Sequence, residues 1–346
     1  MTRQIGVGVI GLGMAGRGHL QSFASNKKVK AIYGADPSDK ARSDAGELVK
    51  EAKFVADYKE LLRMKEIDLV VIATPHNLHL PMVLDSFTAG KNVMTEKPMA
   101  INTKECDLMI AAAKGAKKQL FVFHNQRSSP MFYKLKKIIS ENDFGKAVAA
   151  VIQYLGCELQ RMRDSSNWKC SYDKAGGGVL LDGGIHVIDM CNWYLGKPVS
   201  VIARLHKPEN WLENKAESTG NLLITYESGA IAQVLASFET LLPGSFGEGT
   251  LRILADLFYE NGNASAMYEY LGKFGMKSYA QFICGSDEMH EFKPTDKDKI
   301  SIHENVLDCL LDDAKPLITP EEARTAVAVV EAAYESARTG RSVMVQ

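Results

Sequence analysis

The densest chemistry in the chain lies in Gly176-Gly-Gly-Val-Leu-Leu-Asp182-Gly-Gly-Ile-His186-Val-Ile-Asp189-Met-Cys-Asn-Trp193. Asp182, His186, Asp189 and Trp193 stand at i, i+4, i+7 and i+11. At ~3.6 residues per turn they share one narrow face of a helix. Almost every other residue from Val179 to Leu195 is apolar or small, and a helix apolar on its remaining faces is buried. The stripe therefore faces a cleft or a closed polar network, since buried polar groups need partners. In a cleft, a histidine is a general base near neutral pH. A carboxylate one turn away binds a substrate hydroxyl or tunes the ring. The chemistry expected is removal of a proton from an alcohol.

Three further runs supply what that reaction needs. In Glu96-Lys97-Pro98 the ammonium would polarise a carbonyl or stabilise a forming alkoxide, with the carboxylate positioning it. In Gly11-Leu-Gly13-Met14-Ala-Gly16 the glycines permit a tight turn and close backbone approach to a pyrophosphate. Asp36 lies 20 residues past Gly16, where a carboxylate accepts from an adenosine ribose diol and repels a 2′-phosphate. NAD is thus expected over NADP, with Lys40 and Arg42 softening the preference. In Thr74-Pro75-His76-Asn77-Leu78-His79, the two histidines, His76 and His79, and Asn77 would line a nicotinamide pocket, with Thr74 beside the cofactor. No third ligand accompanies the two histidines, so no metal is expected.

The elements that must position these residues follow from pattern. Strands are expected over 5–10, 29–35, 69–73, 92–95 and 120–123, with a weaker one at 53–55, and helices over 15–25, 39–51, 58–64, 80–89 and 103–117. Such alternation implies parallel strands with crossover helices, a doubly wound sheet. The glycine loop then joins strand to helix, and the runs at 74–79 and 96–98 sit at carboxyl ends of strands, where such sheets bind ligands. After residue 130 longer strands are expected at 147–155, 199–205, 221–226 and 230–238, the last two joined by a hairpin at Glu227-Ser228-Gly229. A helix is expected over 178–195 and two more within 301–339, around Pro316 and Pro320. The pattern is weakest over 255–295. The expected class is α/β plus α+β: a Rossmann domain over residues 1–125, then an α/β substrate-binding and oligomerisation domain over 126–346 on a large, mostly antiparallel sheet. A chain of 346 residues accommodates two domains of ~100–200 residues each.

Composition excludes other classes. Forty-one basic and 42 acidic side chains leave a net charge of −1, which gives nucleic acid no electrostatic footprint. No apolar run reaches the ~18 residues of a membrane span, and no secretion signal is expected at the N-terminus. Six cysteines show no C-x-x-C and no zinc-ligand spacing, so reduced thiols and a cytoplasmic location are expected. An exposed sheet face in the second domain would need a cover, and a homo-oligomer, dimer or tetramer, supplies it.

In this order the features resemble the Gfo/Idh/MocA oxidoreductase family, named for glucose-fructose oxidoreductase and inositol dehydrogenase. The resemblance runs the length of the chain: the glycine loop with His19 three residues later, T-P-x-x-x-H, E-K-P, G-G-G-x-x-x-D-x-x-x-H, and the ending Tyr334-Glu-Ser-Ala-Arg-Thr-Gly-Arg341. It implies an N-terminal Rossmann domain, a C-terminal sheet that supports oligomers, and a site between the domains. Lys97 matches the family's catalytic lysine, Asp182 its substrate-orienting aspartate and His186 its catalytic histidine. His79 and Glu96 fall near the nicotinamide ribose, and Pro98 follows a cis peptide in similar proteins. Arg127 matches a basic position after the sixth strand, and Trp168 an aromatic near the substrate. Two stretches depart from the family pattern, Arg252–Gly262 and Cys157–Asp173, and both shape the expected pocket.

The activity implied is hydride transfer between NAD and a secondary alcohol of a sugar, polyol or glycoside. Lys97, Arg127, Asp182 and His186, with Arg161, Arg163 and Trp168, suit a hydroxyl-rich ring, with or without an acidic group. A glycoside-processing enzyme that keeps its NAD bound and oxidises the sugar transiently is a second reading. A non-catalytic cofactor or ligand sensor is a third.

Overall fold

A computed structural model describes residues 3–158, 161–162, 164, 166–208, 216–240, 249–272, 275–285 and 288–346. Its first compact unit comprises the chain up to Phe123 together with Ser301–Arg324. Six strands form its sheet: β1 (Ile5–Ile10), β2 (Val29–Ala35), β3 (Lys53–Val55), β4 (Leu69–Ile72), β5 (Asn92–Glu96) and β6 (Leu120–Phe123). Their order is β3-β2-β1-β4-β5-β6, all parallel. This is the doubly wound order whose switch point lies between β1 and β4. Both strands there are buried at every position, as parallel strands covered on two faces must be.

The helices of this unit are α1 (Met14–Ala24), α2 (Asp39–Leu48), α3 (Tyr58–Leu62), α4 (His79–Thr88) and α5 (Thr103–Ala116). Side chains cap several of them: Ser38 accepts from Ala41 N–H, and Asn102 from Glu105 N–H.

The second unit comprises His124–Ile300 and Thr325–Gln346. It adds α6 (Pro130–Glu141), β7 (Ala147–Gly156), α7 (Ile185–Leu195), β8 (Pro198–His206), β9 (Thr219–Tyr226), β10 (Ile231–Ser237), β11 (Leu251–Tyr259), β12 (Gly262–Tyr270), β13 (Met276–Cys284) and β14 (His290–Glu291). The C-terminal segment holds α8 (Ile302–Asp312), α9 (Pro320–Thr339) and β15 (Val343–Met344). The nine strands run β14-β13-β12-β11-β7-β10-β9-β8-β15, antiparallel except for the β7–β10 pair. In β9 every second residue is buried from Gly220 to Tyr226, so the sheet hides one face. Helix α7 packs on β7 and β10, and α6 on β12. The hairpin after Tyr226 turns through Gly229 at φ +88°, a conformation glycine adopts without a Cβ penalty.

One expectation is corrected. The division at residue 125 misses Ser301–Arg324, which belongs to the first unit. There Lys28 binds Glu304 (2.5 Å) and Asp308, Gln119 Nε2 donates to the Cys309 carbonyl (3.3 Å), and Arg324 pairs with Asp107 (3.0 Å). The weakly patterned stretch 255–295 holds most of β11 and all of β12 and β13. Four of its buried positions are Ala255, Ala264, Ala266 and Ala280, too small to mark a core strand in sequence.

Candidate functional site

In the first unit, β1 opens into the glycine loop. Gly11 has φ +87°, and a Cβ there would stand 2.5 Å from the Ala73 carbonyl oxygen. A Cβ on Gly16 would meet the Gly11 carbonyl oxygen at 1.7 Å, whereas one on Gly13 meets nothing within 4 Å. Two glycines thus close the turn and the third leaves open space. Helix α1 starts there without a side-chain cap, and Met14 is 76% exposed. Uncapped N–H groups at a helix start beside open space suit a phosphate. Asp36 anchors the loop: its Oδ2 accepts from Leu12 N–H (2.8 Å) and its Oδ1 from Ser38 N–H (2.9 Å). Arg42 donates to the Asp36 carbonyl (2.6 Å) and pairs with Asp39, while Lys40 pairs with Asp44 (3.1 Å). The two cations that would soften the preference for NAD are thus tied to carboxylates of their own helix.

After β4, Thr74 and Pro75 lead into a 3-10 turn, His76–Leu78. Among the described residues Asn77 Oδ1 is buried without a hydrogen-bond partner, an acceptor that a bound ribose or carboxamide donor would satisfy. His79 is fully buried, with Nε2 at the Thr74 carbonyl (3.1 Å) and Nδ1 at the Pro98 carbonyl (3.0 Å). Burial pushes its pKa down, against those carbonyls and the Glu96 charge. It ties the 74–79 run to Pro98 and presents no ring nitrogen to the surface, which corrects the expectation of a direct contact to the cofactor.

At the carboxyl end of β5, Glu96 Oε2 accepts from Lys97 N–H (3.1 Å) and Oε1 from His19 Nε2 (2.9 Å). Burial alone would raise this carboxyl. The His19 hydrogen bond, together with the charge and N–H of Lys97, outweighs it and holds Glu96 below the ordinary value. The Lys97–Pro98 peptide is cis, and Lys97 itself is half-buried. The loop, the open space at Gly13, the orphaned Asn77 oxygen and the lysine together fit a dinucleotide.

In the second unit, Asp182 lies in a π-helical turn, Leu180–Gly184, that runs into α7 carrying His186 and Asp189. A regular helix was expected throughout. Such π turns recur at functional sites because they reset the facing of side chains. Glu217 fixes the start of the turn: its Oε1 accepts from Leu180 N–H (2.8 Å) and from the Tyr334 hydroxyl (3.1 Å). Burial raises the Glu217 pKa against those bonds. Asp182 and His186 each retain 8% exposure. Lys169 Nζ binds Asp182 Oδ2 at 2.5 Å and stands 5.8 Å from the centre of the half-buried Trp168 ring. The Tyr154 ring stacks on His186 (6.1 Å, 15°), and a Cβ on Gly183 would come within 2.5 Å of Tyr154.

Other candidates are placed differently. Arg127 is 2% exposed and binds both oxygens of Asp189 (2.8 Å each), with Trp193 5.7 Å away. It is a structural partner, and this corrects its reading as a substrate cation. The pair also closes the Asp189 end of the stripe as a satisfied network. Arg161 forms an exposed pair with Glu158 (2.9 Å), and Arg163 lies outside the described residues. Sequence reasoning missed Tyr154, Lys169 and Glu217. Only Lys169 gave a signal, standing beside the singled-out Trp168. Among the described residues no three His, Cys, Asp or Glu are grouped to hold a metal. Among them, too, no helix is long and apolar enough to cross a membrane.

Two family models match the chain: the oxidoreductase family with NAD-binding Rossmann fold over residues 5–124, and the GFO/IDH/MocA C-terminal domain over 132–254. An uncharacterized oxidoreductase, YrbE of Bacillus subtilis (strain 168), is 29% identical over 241 residues, 68% of this chain and 67% of its own length. The scyllo-inositol 2-dehydrogenase (NADP(+)) IolW of the same organism is 24% identical over 99% of this chain and 96% of its own. Levoglucosan dehydrogenase, solved with NADH and levoglucosan, superposes with a TM-score of 0.85 at 21% identity, covering 99% of this chain and 100% of that one. At that identity the likeness shows the fold.

Proposed function

The chain belongs to the GFO/IDH/MocA family of NAD-binding oxidoreductases, and from that premise we propose that it moves a hydride between nicotinamide and a secondary alcohol of a sugar, polyol or glycoside. The observation that carries this reading is Lys97 at the end of β5, held beside the buried Glu96 carboxylate in the sheet whose β1 opens into the glycine loop. Its relatives include dehydrogenases named for scyllo-inositol and levoglucosan.

In the oxidative direction His186 takes the hydroxyl proton. Lys97 stabilises the negative charge that grows on that oxygen. Asp182, held by Lys169, accepts a hydrogen bond from a substrate hydroxyl, and Trp168 offers a ring face. When bound, NAD would supply the hydride acceptor for the carbinol carbon. Stacked on Tyr154, His186 is kept in one orientation, as general-base catalysis requires. Gly11, Gly13, Met14, Gly16, Asp36, Thr74 and Asn77 would hold the cofactor, with His79 and Glu96 behind them.

Self-association belongs to the same proposal. Ile202, Leu223, Ile231 and Phe258 are exposed on β8, β9, β10 and β11, and a second copy would cover them; a monomer by light scattering would count against this. A cytoplasmic location accords with five buried cysteines out of six.

The test is to follow cofactor reduction with NAD and separately with NADP, across inositols, hexoses, uronic acids and glycosides. Steady reduction with NAD and one substrate class is expected. Silence across the panel, with no nicotinamide released on denaturation, would overturn the reading.

A further inference from the structure

His19 follows the glycine loop, yet the reaction above assigns it no step. Its Nε2 faces Glu96 Oε1 at 2.9 Å, and its Nδ1 faces His303 Nε2, on α8, at 2.8 Å. The edge of Phe123 packs on His19 (4.6 Å) and that of Phe23 on His303 (4.8 Å). With His19 neutral, the order of protons along this line follows from the carboxylate at its end. An ionised carboxylate only accepts, which favours the His19 proton on Nε2. A neutral imidazole then has a bare Nδ1, and His303 must donate to it from Nε2. Burial is the largest cause that pushes His303 down to about 3, so the donor stays neutral. Glu96 therefore keeps two donors, His19 and Lys97 N–H, and its charge acts on the Lys97 ammonium. His79 also senses that charge, while Glu304, next to His303, is engaged by Lys28 and Asn26.

We propose that His303 is a positioning residue for Lys97: by holding His19 in its Nε2–H form, it keeps the Glu96 carboxylate oriented and paired beside the lysine. This rests on the role given to Lys97 above. His303→Phe keeps an aromatic ring but removes the donor. His19 then gains access to its other tautomer, whose bare Nε2 would face the carboxylate lone pairs. His303→Gln restores an N–H at that place.

The experiment uses the full chain labelled with 15N-histidine. Two-bond proton–nitrogen spectra read the His19 tautomer without cofactor or substrate. The wild type should show Nε2–H only, His303→Phe a mixture, and His303→Gln the wild-type form. With saturating substrate, His303→Phe should lower kcat by about 10-fold, the range expected for an outer-shell partner. The KM for NAD should stay unchanged and Gln should recover most of the rate. A wild-type His19 protonated on Nδ1 overturns the proposal, even if His303→Phe fails to fold. So does a His303→Phe protein with unaltered kcat. If no alcohol is ever oxidised, the tautomer spectra still decide the relay, and only the assigned activity fails.

Discussion

Arg127 grips Asp189 with two parallel hydrogen bonds of 2.8 Å, and neither residue is more than 2% exposed. Removing one partner of such a pair strands a buried charge, at a cost of about 3–5 kcal/mol. Arg127→Ala should therefore lower the urea midpoint sharply. The double variant Arg127→Met with Asp189→Leu should recover much of the loss, because it strands nothing. An Arg127→Ala protein of normal stability with a raised substrate KM would restore the arginine to the substrate site.

His186 and Lys97 are assigned different tasks, and kinetics separates them. His186→Ala should lower kcat by roughly 10²–10⁴-fold, the usual contribution of a general base. Lys97→Ala should leave NAD affinity in a fluorescence titration nearly unchanged while abolishing hydride transfer. Near-normal turnover of the histidine variant, or a lysine variant that only binds NAD weakly, would each contradict its assignment.

Lys169 holds Asp182 at 2.5 Å. Lys169→Met should leave the fold intact, since the ammonium is partly exposed, yet free Asp182 to reorient. Substrate KM should rise several-fold, and kcat should fall less than in His186→Ala. Unchanged kinetics would show that Asp182 needs no such partner.

Much of this arrangement is legible in the sequence, for reasons particular residues show. Strands β1 and β4 are buried on both faces and so read as unbroken apolar runs next to glycines. Asp182 and His186 are visible because polar residues on an apolar helix stand out. The π turn between them leaves no such mark, since i and i+4 spacing is written identically for either helix. Arg127 and Asp189 are 62 residues apart, and no local spacing announces that they meet. Likewise, Glu217 and Tyr334 reach the 176–184 segment only through the fold. In β11 to β13, alanines at core positions erase the alternation that marks β9.

Gly183 is a site where a single methyl group tests the geometry. Its Cβ would come within 2.5 Å of the Tyr154 ring, which stacks on His186. Gly183→Ala should displace that ring and cost about 1–3 kcal/mol of stability, the usual overpacking range. It should lower kcat while leaving NAD affinity, which belongs to the other unit, unchanged. A Gly183→Ala enzyme with wild-type kcat would show that the stacking is not needed.

His303 carries a prediction about acid stability apart from its effect on Lys97. Burial is the largest cause that brings it from 6.5 down to about 3. Between those values the unfolded chain binds a proton that the folded chain does not, so stability rises with pH across the window. Its contribution is fully present above about pH 6.5 and is lost as pH falls toward 3. Denaturant unfolding at a series of pH values should therefore show a shallower acid loss in His303→Gln than in the wild type, with the two curves diverging below pH 6.5. Parallel curves through that range would mean that His303 takes up its proton in the folded state as readily as in the unfolded one, and that the pocket formed by His19, Phe23 and Phe123 does not exclude the charge.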